Sequence, residues 1–516
     1  MDTRLKMPDK ANIQGLILRG YTHPYSCHLL FSFPESNADE ISSFFKDLYP
    51  LVQSAVDWGR KKPQSMLNIG LTFNGITKLS KEILLPTDLG NFPLAFQNGP
   101  WSKSSQQSLQ DTADPKSMPS QWWNKKGCKV NEELHCIVHT YALTESAMDS
   151  IVDLVTASAT TNGLTEIIPL ALTTGNGRLY QTMVDRNSAK IHFGYTDGLS
   201  EPDLKNTGSS SPFSTPADNS NFLIGYYNGS TSYPGPFDGT KAGSFAKDGC
   251  YNAFRVIYQD VACFNKLLKD LASKHGQDLA FLKLNALELE EWFAAKLCGR
   301  WRNGSPLILS PDKPDENEDT AATGEDFGYA VLNTLPGQPT GSVATDNQLS
   351  SYSCPFSAHT RVANPRNQNL VNAEGATGPP RIVRRGMPYG ASLTSGNEDD
   401  GVDRGLIGMF LCGDFSTQFE KLYGWMNCNN FSDKQIFSIK HPPQDALLGN
   451  RALLKNNPIF PGVVTSFIIP VGDPNLKEKK QIVIPELPQF LTTRGTAYCL
   501  LPSLASLAKI AGMKAA

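Results

Sequence analysis

The sequence predicts an α+β fold of two ferredoxin-like halves, each a four-stranded antiparallel sheet with helices, the second half carrying large loop insertions. Three observations predict it. Apolar runs of strand length alternate with stretches whose apolar residues recur at helical spacing. The order strand, helix, strand occurs twice within residues 27–174. The same element types then recur downstream, separated by long tracts of Ser, Asn, Gly and Pro.

The elements follow in order. Residues 27–33 (CHLLFSF) form an apolar strand, and Pro34-Glu35-Ser36-Asn37 supplies a turn and a cap. Residues 38–58 carry Ile41, Phe44, Phe45, Leu48, Leu51, Val52 and Val56 at helical spacing. Residues 65–73 are a second strand and 75–84 a short helix. Residues 86–126, rich in Pro, Ser, Gln and Asn, read as an irregular insertion. Residues 134–143 form a strand, 144–161 an amphipathic helix and 165–174 another strand. His135 and His139 fall on one side of their strand, and without a closed set of ligands they read as structural rather than metal-binding. Past residue 240 the pattern recurs: a strand near 251–258, helices over 260–274 and 287–299, a strand over 406–412, a helix over 414–426, and strand-like runs at 463–469, 481–484 and 498–501 before a short apolar helix. The expected domains are 1–200 and 201–516.

Composition narrows the function. The chain has 516 residues, 40% hydrophobic and 9% aromatic, ample for a packed core. A formal net charge of −3 gives no basic footprint for nucleic acid. No stretch approaches the ~18 apolar residues of a membrane span, and the first residues lack an apolar run of secretory length. Cysteines lie apart, several in apolar runs, and read as reduced. A cytoplasmic location is expected.

Two stretches carry the chemistry. Residues 353–390 set His359 between Pro355 and Pro365 and contain Arg361, Arg366, Arg381, Arg384 and Arg385, with Glu374 the only acid. A rigidly held histidine beside arginines suits an axial ligand for a carboxylate-bearing cofactor such as haem. The same residues also read as a surface loop with a satisfied histidine. Residues 192–202 (HFGYTDGLSEP) present Asp197 between Gly194 and Gly198, glycines that allow a tight turn and close approach to a flat group.

Together the Gly-Tyr-Thr-Asp-Gly frame, the His359-Thr-Arg-x-x-Asn-Pro-Arg366 run and the Arg384-Arg385-Gly386 turn, in that order, resemble the dye-decolorizing peroxidases, in particular their larger subclass without a signal peptide. The resemblance extends from residues 12–21 to residues 405–420. It implies haem b, one per chain, with His359 the axial ligand of the iron and Asp445 (in QDALLG) the acid behind it. It implies Arg366 on a haem propionate, and Asp197 and Arg384 as the pair that activates hydrogen peroxide, with Arg385 the alternative if the turn is shifted by one. Gly198 belongs with the haem contacts. Met409 and Leu411, alternate residues of one strand, line the peroxide side or are plain core. Tyr389 is an electron relay for bulky donors or an ordinary packed tyrosine.

The expected activity is reduction of hydrogen peroxide coupled to oxidation of aromatic donors such as dyes and phenols. A carboxylate base, ordinarily titrating near ~4, sets an acidic optimum. The partners are those small molecules, with no nucleic acid, no membrane and a possible homo-oligomer. A haem-binding or storage protein would keep His359 while tolerating loss of Asp197 and Arg384. A haem-free ferredoxin-like assembly module would need none of the three.

Overall fold

The computed structural model describes residues 8–35, 38–124, 130–168, 177–183, 190–204, 216–217, 221–226, 239–315, 327–329, 351–366, 380–394, 396–429, 444–452, 466–472 and 480–513. The first half contributes β1 (Tyr25–Ser32), α1 (Ala38–Leu48), β2 (Ser65–Leu71), β3 (Cys136–Ala142), α2 (Glu145–Thr161), β4 (Thr165–Ile167) and β5 (Leu179–Thr182). The second contributes β6 (Cys250–Gln259), α3 (Val261–His275), α4 (Ala286–Cys298), α5 (His359–Ala363), β7 (Val383–Tyr389), β8 (Gly405–Cys412), α6 (Glu420–Asn427), the hairpin β9 (Ser466–Val471) and β10 (Lys480–Pro485), β11 (Leu491–Leu501) and α7 (Leu504–Ile510).

Local chemistry explains the boundaries. α1 presents Ile41, Phe44, Phe45 and Leu48 to the core and stops at Leu48, well short of the helix expected to residue 58. Pro50 cannot continue the hydrogen-bond ladder, and a single 3₁₀ turn follows. The Thr144 hydroxyl caps α2 by accepting from the Ala147 amide. The Asp260 carboxylate caps α3 in the same way, and Asn285 with Glu288 forms a capping box on α4. Gly299, at φ +93°, ends α4 in the left-handed region. The insertion at 86–124 is a series of short helices rather than irregular chain. The helix expected over 414–426 begins with a π turn at Phe415–Phe419.

The strands run β4-β1-β3-β2-β11-β6-β8-β7, with β5 also on β1. Each half thus has the same internal order, its fourth strand beside its first and its third between first and second. All pairings within this sheet are antiparallel. The halves join through one pair, Leu500 with Leu71.

One face of the first sheet packs on α1 and α2 in a core that includes Phe31, Leu67, Val138, Phe44, Ile151 and Val155. A separate core holds Leu30, Met66 and Tyr141 of the first half with Phe254, Ile407 and Met409 of the second. Gln181 of β5 ties the halves together by donating to the Met387 and Ile407 carbonyls. No described helix is long and apolar enough to cross a membrane.

Candidate active site

The opposite face of the second sheet meets its covering elements at a distance, and a cavity of about 240 Å³ lies between them. Ile257, Gln259, Leu406 and Phe410 form its sheet wall. Leu422, Tyr423 and Met426 of α6, with Leu447 and Leu448, close another side. Asp197, His359, Arg300, Arg366, Arg381 and Arg384 also line it. The lining is mostly apolar, with the polar groups few and convergent.

His359 opens the short helix α5. Its Nδ1 lies 2.7 Å from Asp445 Oδ2, a residue 86 positions away in sequence. Asp445 is fully buried. Its second oxygen, Oδ1, accepts from the Leu447 and Leu448 amides, each at 2.9 Å. Burial pushes this carboxyl upward. The His359 ring and the two backbone donors more than offset that and hold it below the usual carboxylate range. An ionised Asp445 requires a proton on His359 Nδ1, which leaves Nε2 as the nitrogen able to bind a metal.

The loop after Asp197 gathers three arginines. Arg384 donates to the Leu199 carbonyl at 2.6 Å and to Glu201 Oε1 at 3.1 Å. Ser200 Oγ accepts from Arg300 at 2.9 Å and from Arg366 at 3.2 Å. Both guanidiniums sit against the Phe327 ring, at 5.5 and 3.8 Å. Gly194 and Gly198 have φ of +87° and +77°, and Ser200 has +60°. A side chain at Gly198 would meet nothing within 4 Å, so its backbone angle, rather than a close approach, calls for glycine.

Strand alternation sorts the other expected residues. The Arg384-Arg385-Gly386 run is part of β7 rather than a turn. Arg384 pairs with Phe410 and Arg385 with Met409, so the members of each pair share a face. Arg384 and Phe410 face the cavity. Arg385 turns away, donating to the Leu16 carbonyl at 3.1 Å. Met409 and Leu411 therefore do not line the cavity. Met409 is buried beside Tyr141, its sulfur 3.9 Å from the phenol oxygen, and Leu411 packs with Val383 and Leu501. Tyr389 is also off the cavity and 2% exposed, its hydroxyl 3.0 Å from Asp403 Oδ1.

Comparison with known proteins matches this architecture. A dye-decolorizing peroxidase of Mycena epipterygia is 31% identical over 339 residues, 62% of this chain and 57% of that protein. Peroxidase 2 of Mycetinis scorodonius is 28% identical over 63% of this chain and 57% of its own length. The chain thus spans a little over half the length of the curated relatives it matches. The crystal structure of a fungal DyP-type peroxidase from Auricularia auricula-judae superposes with a TM-score of 0.71 at 21% identity, covering 98% of this chain and 100% of the other. The chain is similar in sequence to these dye-decolorizing peroxidases and has their fold. No family model matches it.

Within this dye-decolorizing peroxidase fold, sequence reasoning missed three cavity residues, Arg300, Ser200 and Phe410, and Glu201, which binds Arg384 beside the cavity. Arg300 lies beside Arg366, and its signal was the Arg300-Trp301-Arg302 run after a helix stop. Ser200 and Glu201 lie three and four residues past Asp197 in the same stretch, and their residue types alone carry no signal. Phe410, between Met409 and Leu411, is the one of the three that faces the cavity. His135 and His139 have ordinary partners: His135 Nδ1 accepts from the Phe33 amide at 2.8 Å, and His139 lies 3.0 Å from His28.

Proposed function

We propose that the chain is a haem-dependent peroxidase that reduces hydrogen peroxide and oxidises bulky aromatic donors such as dyes and phenols. The observation that carries this reading is the His359–Asp445 pair in the wall of an apolar cavity that also collects Asp197 and Arg384. The donor set suits haem b, one per chain. His359 would hold the iron through Nε2, with Asp445 fixing the tautomer and strengthening the ring as a donor. Arg366, with Arg300 beside it, would hold the carboxylates, since a guanidinium offers a permanently charged, forked contact. The apolar walls would take the flat ring.

When bound, haem supplies the redox chemistry of peroxide reduction. The chain's own residues handle the proton and the charge. Asp197 takes the proton from one peroxide oxygen and returns it to the other, which then leaves as water. Arg384 supplies positive charge where negative charge develops. A carboxylate in this role favours an acidic optimum. Donors too large for the cavity give up their electrons at the protein surface. The shared strand order of the halves supports domains 1–200 and 201–516. The nine described cysteines, all free, are in keeping with a reducing, cytoplasmic setting.

The test is the absorption spectrum of haem-supplied protein before and after one equivalent of peroxide, for wild type and His359→Ala. A Soret band that shifts with peroxide in wild type and is lost or strongly weakened in His359→Ala is expected. Asp197→Asn and Arg384→Leu should keep the band and lose the peroxide response. If they keep both, the chain is a haem-binding or storage protein. A folded wild type with no band despite ample haem leaves an assembly module.

A further inference from the structure

One carboxylate holds both arginines of β7. Glu201 Oε1 accepts from Arg384 Nε at 3.1 Å, and Oε2 accepts from the Arg384 backbone amide at 3.2 Å. Arg385, whose side chain leaves the opposite face of the strand, reaches the same Oε2 through Nη1 at 3.3 Å. Glu201 is half-buried, and the Arg384 side chain is 40% exposed. A long, partly exposed arginine has many rotamers, and ordering it costs up to about 2 kcal/mol of side-chain entropy. Side-chain hydrogen bonds to two residues of one loop, Leu199 and Glu201, restrict that freedom. The same loop carries Asp197, four residues earlier.

We propose that Glu201 is a positioning residue: it holds the Arg384 guanidinium at the cavity wall and fixes its placement relative to Asp197. The proposal rests on the peroxidase reading, in which Arg384 acts on the peroxide. It makes the Asp197–Glu201 loop a single device. The loop's first residue moves the proton, and its last sets the charge that must meet the same peroxide. Arg385 anchors the device from behind by pairing with the outer carboxylate oxygen and the Leu16 carbonyl.

The sign of one measurement separates positioning from a simple charge effect. Glu201→Gln removes a negative charge near the cavity. Through the field alone, that change tightens binding of an anion. If Glu201 instead holds Arg384 in place, the variant loosens it, because the cation that should meet the anion is no longer held. The probe is azide, titrated into haem-loaded protein and read by the Soret shift, for wild type, Glu201→Gln, Arg384→Leu and the double variant. The expected result is a Kd for azide raised about three- to tenfold in Glu201→Gln, the range for a partly exposed charged contact. In the Arg384→Leu background the second change should have no further weakening effect, since there is no guanidinium left to misplace. Glu201→Asp, which keeps the charge on a shorter arm, should fall between wild type and Glu201→Gln. Unchanged or tighter azide binding in Glu201→Gln, or a loss that adds to that of Arg384→Leu, overturns the proposal. A wild type that takes up no haem overturns the peroxidase reading instead, so the two failures are distinct.

Discussion

The two halves share one strand order and come to opposite ends. In the first, α1 and α2 press Phe44, Phe45, Ile151 and Val155 directly onto the sheet, and the face is sealed. In the second, the equivalent face is covered by short or interrupted elements, among them the five-residue α5 and the segment around Leu447, and a cavity remains. The histidines differ in parallel. His28 and His139 of the first half are fully buried and face each other, Nδ1 to Nδ1, at 3.0 Å. Gln181 Oε1 already accepts from Ser26, so it takes the His28 Nε2 proton as well, at 2.6 Å. A neutral His28 then has a bare Nδ1, and His139 must donate to it. His359 of the second half meets a carboxylate instead of an amide and keeps a nitrogen for the cavity. The same topology thus yields a sealed histidine pair or a histidine on a cavity according to what covers the sheet and what stands behind the ring.

The largest expected effect tests the sealed half. Burial pushes His28 down to about 4, and burial together with the neighbouring His28 pushes His139 well below the ordinary range. Both rings are neutral when folded but take up protons near pH ~6.5 when unfolded. Their contribution to stability is therefore full above about pH 6.5 and drains away as the pH falls toward 4, by on the order of 3 kcal/mol for His28 alone. Urea unfolding between pH 7 and 4 should show this slope, and His28→Leu/His139→Leu should flatten it. A double variant with an unchanged slope would place the acid sensitivity elsewhere. An acidic activity optimum would then fall where the fold is losing stability.

The next effect tests the open half. In Asp445→Asn the amide oxygen must keep the Leu447 and Leu448 donors, so the NH₂ faces His359 Nδ1. The ring proton moves to Nε2, where it blocks a metal. Haem affinity should fall about ten- to hundredfold, the usual range for loss of such a partner, with a weakened Soret band at limiting haem. Affinity within twofold of wild type would show that the carboxylate does not set the tautomer. The smallest effect sharpens the border between the two regions. Met409→Leu conserves volume in the core shared by the sheets and should cost less than about 1.5 kcal/mol, leaving the Soret maximum in place. Phe410→Ala, one residue on, should shift it. The reverse pattern would reassign the faces of β8.

Much of this was legible in the sequence because it depends on local pattern. Helical spacing marked α1 through Ile41, Phe44, Phe45 and Leu48, although its end at Pro50 was overrun. The helices over 144–161, 260–274 and 287–299 followed from apolar spacing, and their starts and ends fall on Thr144, Asp260 and Gly299. His359, Asp197 and the arginines around them stood out because rigid proline and glycine frames leave a signature that does not need neighbours. Strand period told that Met409 and Leu411 share one face of their strand, whereas Arg384 and Arg385, read as a turn, were assigned no faces. It did not tell which face was which.

That choice belongs to the tertiary structure. A strand has two equivalent sides until one of them is packed, and the packing of β8 against Tyr141 of the other half is what commits Met409 to the interior and Phe410 to the cavity. The pairing of His359 with Asp445 closes a loop of 86 residues, a distance over which spacing carries no information. Glu201 on two arginines is the same kind of contact, invisible until the chain returns to itself. By itself the sequence determined most of the order of elements and marked the candidate residues. The fold decided which of them share a cavity, because only long-range packing breaks the symmetry of a strand.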